Sequence, residues 1–129
     1  MNLISFVIPS YNEQENITRL SNILLGILKK YKYVEIIIVD NGSTDKTSKI
    51  LKKHKLFKEK KFKLKKIKKN LGYGHGIMSG VNLASGNIIA WFHADLQTNP
   101  LDVIKIINKN RNILLNQQDL LPGKRITRS

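Results

Sequence analysis

Glu35-Ile36-Ile37-Ile38-Val39-Asp40 is the most telling stretch of this 129-residue sequence. Four β-branched residues in a row favour an extended chain, because branching at Cβ restricts the side-chain freedom available in a helix. The run is apolar on both faces, with no polar side to turn toward water. Strands of this kind lie inside parallel sheets whose two faces are covered. Parallel neighbours need crossover connections, so helices are expected on either side of it.

Both flanks carry them. Upstream, Leu3 to Ile8 is a short apolar run ending at Pro9 and reads as a buried strand. Residues 14–31 follow, with Ile17, Leu20, Leu24, Ile27, Leu28 and Tyr31 drawing one stripe on a helix. Asn12, with Glu15 three residues later, resembles a capping box for that helix. Downstream, Ser43 to Lys53 reads as a short helix, and Phe62 to Ile67 alternates apolar residues with lysine as an edge strand does. Asn70 to Gly76 reads as a flexible turn, Gly76 to Ala84 as a helix closed by Ser85-Gly86, and Asn87 to Phe92 as a fourth strand. Thr98-Asn99-Pro100 opens a last helix with proline in its first turn, and residues 108–118 are polar enough for a loop or frayed end. The alternation predicts an α/β fold: an open, mostly parallel sheet with helices on both faces, one domain over residues 1–129.

Composition agrees with a globular chain, at 41% hydrophobic and 25% charged residues. The absence of cysteine excludes disulfides and thiolate metal sites. Pro9, Asn12 and Glu13 interrupt the N-terminal run and no basic leader precedes it, so it does not read as a signal peptide. No apolar run approaches the roughly 20 residues of a membrane-spanning helix. A soluble, cytoplasmic protein is expected. The net charge of +14 is concentrated: residues 46–69 hold thirteen lysines and one acid, Glu59. Only four of the 23 basic residues are arginine, and Ile and Asn abound, which is what codon bias in an AT-rich genome produces. A solvated lysine-rich surface is the plain reading, and attraction to the cytoplasmic face of an anionic membrane is the next. Few aromatics interleave the lysines and no recognition motif appears, so no specific nucleic-acid partner is expected.

In open parallel sheets, ligands bind beyond the carboxyl ends of the strands. Three of the four predicted ends are rich in polar chemistry: Pro9-Ser10-Tyr11-Asn12-Glu13, Asp40-Asn41-Gly42-Ser43-Thr44-Asp45 and His93-Ala94-Asp95-Leu96-Gln97. The fourth feeds Asn70-Leu71-Gly72-Tyr73-Gly74-His75-Gly76. Those glycines are spaced G-x-G-x-G, not the G-x-G-x-x-G of a dinucleotide fingerprint, and no phosphate loop G-x-x-x-x-G-K-[ST] occurs. His54 and His75 read as surface residues, and Trp91 as a packing residue.

Residues 7–13, 36–47 and 70–100, in this order and spacing, resemble the landmarks of inverting family 2 glycosyltransferases with the GT-A fold. The match covers roughly residues 3–104, and residues 93–97 are most similar to the dolichyl- or polyprenyl-phosphate sugar synthase branch. Leu121-Pro122-Gly123-Lys124-Arg125 is similar to the strand and basic turn that come next in that family. The resemblance implies that Pro9, Tyr11 and Glu13 line the base and ribose pocket of a nucleoside-diphosphate sugar (UDP or GDP). It implies that Asp40 accepts a hydrogen bond from the base, as an ionised carboxylate can. Gly42 would allow the sharp turn past the nucleotide, and Gly72 and Gly74 a close backbone approach. Asp95, with Gln97 and His93, would hold Mg²⁺ or Mn²⁺ against the diphosphate. If residues 93–97 stay extended, positions 93, 95 and 97 project to one side.

Two departures lower the negative charge of that site. Asn41 stands where the family has a second aspartate, and His93 where it has an acid, which weakens a hard cation. A neutral imidazole adds at most one nitrogen ligand. The implied reaction is inverting displacement at the anomeric carbon, with a general base that the resemblance places beyond Ser129, in an acceptor-binding half. Three readings stay open: the donor half of an active transferase, a donor-binding remnant without activity, and a basic module for nucleic acid or membrane. A polyprenyl phosphate is the acceptor favoured by residues 93–97. Without an acceptor half, the strand Asn87 to Phe92 is expected to be exposed, which would favour a homodimer through that surface.

Overall fold

The computed structural model describes residues 3–115 and 125–128. Its elements in chain order are β1 (Ile4–Ser10), α1 (Ile17–Lys30), β2 (Val34–Asn41), α2 (Thr47–Lys53), a 3-10 turn (Lys55–Lys58), β3 (Phe62–Ile67), α3 (Tyr73–Val81), β4 (Ile88–Trp91), α4 (Pro100–Lys109), α5 (Arg111–Leu115) and β5 (Arg125–Arg128). The strands form one sheet in the order β3-β2-β1-β4-β5, parallel throughout. The expected α/β architecture with helices on both faces is present, and β3 takes the predicted edge.

Period two along the strands divides the core into two layers. Phe6, Ile8, Ile36 and Ile38 face Leu20, Leu24 and Ile27 of α1 and Val103, Ile104 and Ile107 of α4. Phe6 and Phe92 meet edge to face there, with centroids 5.3 Å apart. On the other face Val7, Ile37, Val39 and Ile89 pack with Val81 and Ala84. Helix α3 lies so close to the sheet that a Cβ at Gly80 would clash with Val7 Cγ1 and sit 2.9 Å from Val39 Cγ2. Among the described residues no helix is long and apolar enough to cross a membrane.

The floor of the sheet, at the amino ends of the strands, is pinned by one buried carboxylate. Glu35 Oε2 accepts hydrogen bonds from Ser5 Oγ (2.6 Å), Ser85 N (2.5 Å) and Ser85 Oγ (2.6 Å). Gly86 N donates to Ser5 Oγ at 2.8 Å, and Lys63 Nζ lies 3.7 Å from Glu35 Oε1. Burial alone would push the Glu35 carboxyl up, but the serine hydrogen bonds and the Lys63 ammonium outweigh it and hold it below its ordinary value.

Several boundaries differ from expectation. The capping box does not form. Asn12 adopts φ +52°, and its Oδ1 accepts from Thr44 N (2.8 Å) and Asp45 N (3.3 Å) in the loop after β2. Helix α1 therefore starts at Ile17, whose N–H donates to Glu13 O. The same clamp holds residues 43–46 out of α2, which begins at Thr47 with its N–H donating to Asp45 Oδ1. Helix α3 begins at Tyr73, so Tyr73 to Gly76 is its first turn and not a flexible connection. Arg111–Leu115 is a short helix where a loop was expected. His54 is not a plain surface residue: its Nδ1 accepts from Leu56 N and caps the 3-10 turn. Strand β4 is not an edge, because β1 and β5 pair on its two sides, and this removes the basis for a homodimer through β4. Residues 121–124 lie outside the described residues.

Candidate functional site

Strands β1 and β4 part company at the carboxyl end of the sheet. Their pairing runs from Ile4↔Ile88 to Val7↔Trp91, whereas β1 continues against β2 to Ser10↔Asp40. Phe92 N still reaches Val7 O at 3.4 Å. Alternate residues of a parallel strand bond to the same neighbour, so the next donor toward β4 would be the N–H of residue 9. Residue 9 is proline and has none. The sheet opens there, at the point where the strand order reverses direction, which is where open α/β sheets hold ligands.

A cleft of about 270 Å³ fills the gap. One wall is Pro9, Ser10, Tyr11 and Glu13, the other His93, Ala94 and Asp95, and Asn41, Asn70, Gly72 and Tyr73 close it. Six of the residues singled out in the sequence thus meet: Pro9, Tyr11, Glu13, Gly72, His93 and Asp95. Tyr11 is half-exposed, and Glu13 Oε2 accepts from Asn16 Nδ2 at 3.0 Å. Two buried polar atoms of the lining, Ser10 Oγ and Asn41 Oδ1, have no hydrogen-bond partner. Such atoms are rare inside proteins, and both belong to residues of the cleft lining.

Asp40 and Gly42 do not line this cleft. They line a second recess of about 180 Å³ with Ser43, Lys66, Ile67 and Lys68. The cause is the strand period. Asn41 shares the α3 side of the sheet with Val39 and Ile37, and Asp40 shares the α1 side with Ile38 and Ile36. Asp40 Oδ1 accepts from Ser43 N at 3.1 Å, closing the turn. Gly42 has φ +77°, and a Cβ there would lie 2.6 Å from Asn70 N, so both the turn and the passage of the next loop need glycine. Gly72 also has positive φ, +100°. Gly74 sits in the first turn of α3 with open space around it.

Residues 93–97 do not stay extended. Leu96 has φ +65°, which reverses the chain after Asp95 and breaks the alternation that would align position 97 with 93 and 95. Gln97 is exposed and outside the cleft lining, but its N–H donates to Asp95 Oδ1 at 3.1 Å. The His93 ring packs edge to face with Tyr73 (4.8 Å) and Trp91 (5.7 Å). Among the described residues no three His, Cys, Asp or Glu converge as a metal cage. The groups of the cleft lining able to hold a cation are the carboxylates of Asp95 and Glu13 and the imidazole of His93. That suits a hard cation that takes one or two carboxylates and completes its shell with substrate phosphates. Sequence reasoning missed Ser10 and Tyr73 as lining residues and met Asn41 only as a departure. The period-two alternation of β2 was the available signal for Asn41.

The sequence profile of Glycosyl transferase family 2 matches residues 5–113. The chain belongs to this family. It is 31% identical over 108 residues to the undecaprenyl-phosphate 4-deoxy-4-formamido-L-arabinose transferase of Proteus mirabilis, covering 83% of this chain and 33% of that one. It is 28% identical over 126 residues to the dodecaprenyl-phosphate galacturonate synthase of Rhizobium johnstonii, covering 97% and 36%. The family 2 chain thus spans about a third of the length of these curated relatives. Among solved structures, S. aureus TarS 1-349 in complex with UDP superposes with a TM-score of 0.66 at 23% identity, over 84% of this chain and 33% of that chain. The mannosyltransferase PcManGT of Pyrobaculum calidifontis, in complex with GDP-Man and Mn²⁺, gives 0.64 at 22%, over 71% and 27%. These likenesses show the GT-A fold.

Proposed function

We propose that the chain binds a nucleoside-diphosphate sugar (UDP or GDP) and supplies the donor side of an inverting glycosyltransferase acting on a polyprenyl phosphate. The carrying observation is the cleft at the β1/β4 parting, with Asp95 on one wall and two unpartnered buried polar atoms in its lining. Ser10 Oγ can donate to, and Asn41 Oδ1 accept from, a hydroxyl or base N–H. Both recesses are smaller than a usual small-molecule pocket of roughly 300–1,000 Å³, and an extended nucleotide would use the two together. The base goes beside Asp40, which keeps an oxygen free of the Ser43 turn, and the ribose and diphosphate go between Tyr11, Glu13 and Asp95. A divalent cation, Mg²⁺ or Mn²⁺, held by the Asp95 carboxylate would offset the charge of the leaving diphosphate. Gln97 orients that carboxylate through its backbone N–H, and His93, which lines the same cleft, would add a nitrogen donor. The names of the two curated relatives support a polyprenyl-phosphate acceptor, and the UDP and GDP-Man complexes of the fold neighbours support the donor class.

Titration calorimetry with UDP- and GDP-sugars, with and without Mn²⁺, tests the reading. Metal-dependent binding that disappears in Asp95→Ala is the expected result. Binding indifferent to both the metal and the substitution overturns the site. Transfer to a polyprenyl phosphate, with the anomeric configuration read by NMR, tests the reaction itself.

A further inference from the structure

The end of β3 and the loop that leads from it to α3 form one rim of the cleft, and their composition is unlike that of an ordinary solvated turn. Lys65, Lys66, Lys68 and Lys69 are all exposed, and no Asp or Glu occurs between Glu59 and Asp95. Directly after these cations the chain exposes large apolar side chains: Leu71 is 60% accessible and Tyr73 63%. Isolated exposed apolar residues need no explanation, but here they are consecutive with a block of one charge sign. The loop is also firmly seated. The backbone at Lys69–Asn70 packs on Gly42, and Asn70 Oδ1 accepts from Gly72 N at 2.8 Å, so Leu71 is presented on a fixed turn.

We propose that the rim from Lys65 to Tyr73 docks on the surface of an anionic phospholipid bilayer, lysines against headgroups and Leu71 and Tyr73 inserted among them. Charge complementarity selects this occupant. Each lysine near such a surface contributes attraction that decays within a Debye length, and apolar leucine and amphipathic tyrosine side chains partition into the interface. The surface stands on its own composition. Its use, bringing the cleft to a lipid-borne phosphate, rests on the function proposed above.

The test is co-sedimentation of the full chain with vesicles of phosphatidylcholine alone and of phosphatidylcholine with about one-third phosphatidylglycerol. Salt-sensitive binding to the anionic vesicles alone is expected. The double variant Lys65→Gln/Lys69→Gln should weaken it by about thirty-fold, and Leu71→Ser should weaken it further at low salt. Lys58→Gln/Lys60→Gln removes the same charge at the opposite end of the sheet and should leave most of the binding in place. Equal losses from the two lysine pairs, equal binding to both kinds of vesicle, or no binding to either overturns the proposal. So does tighter retention on duplex DNA that the rim variants abolish. Asp95→Ala must leave vesicle binding intact, which separates failure of this surface from failure of the nucleotide site.

Discussion

Asn41 Nδ2 donates a hydrogen bond to the backbone carbonyl of Gly72 at 3.2 Å. This ties the last residue of β2 to the residue just before α3, a bond that needs the amide N–H and that a carboxylate could not donate. A Cβ at Gly76 would lie 3.0 Å from the same amide nitrogen, so the side chain is held between the strand and the first turn of the helix.

Asn41→Asp removes the donor and sets a carboxylate oxygen against a carbonyl. We expect it to destabilise the fold by about 1–3 kcal/mol, read as a lower urea midpoint with an unchanged slope. A variant as stable as the parent would show that the Gly72 bond does not organise this corner.

His93→Asp adds a second acid to the wall that carries Asp95. Metal-dependent nucleotide affinity should rise on the order of tenfold, because a hard cation gains an oxygen ligand. The cost is the loss of the imidazole's edge contacts with Tyr73 and Trp91, visible as a small drop in thermal midpoint. Unchanged Mn²⁺ dependence in calorimetry would place position 93 outside the metal's reach.

Glu35 makes stability depend on pH in one direction. Its folded carboxyl is held below the ordinary value of 4.5, so its contribution is fully present above that value and fades as pH falls through the folded value. The difference in melting temperature between parent and Glu35→Gln should therefore be constant near neutrality and shrink in acid. A gap that widens on acidification would reverse the assigned sign.

Gly80→Ala should destabilise although alanine is the better helix former by about 1 kcal/mol. The added methyl meets Val7 and Val39, two stiff, fully buried side chains, and overpacking of this kind costs about 1–3 kcal/mol. A stabilised variant, measured by thermal melting, would mean that α3 can lift off the sheet freely.

How much of this was legible in the sequence depended on whether the deciding contact was local. Phe62–Ile67 was read to the residue, because lysines alternating with apolar residues report an edge strand directly. The central β2 run was equally plain. The start of α1 was misplaced because the acceptor of Asn12 is committed 32 residues away, to the loop after β2. The start of α3 was misplaced because its glycines serve close packing on Asn41, Val7 and Val39, which no local pattern displays. Residues from the three polar strand ends line recesses of the structure, but their partition between two recesses was not legible. Strand alternation alone could have separated Asp40 from Asn41. The reversal at Leu96, which moves Gln97 out of line, has no such signal, since leucine seldom adopts positive φ.

The pinned floor of the sheet has a mechanical corollary. Ser5, Ser85 and Gly86 fasten β1 to β4 at one end, and Pro9 leaves the same two strands unlaced at the other. The pair resembles a clothes-peg with its spring at Glu35. A cargo seated between Tyr11 and Asp95 would load the jaws first, at the end of the sheet away from the Ser5 and Ser85 bonds to Glu35.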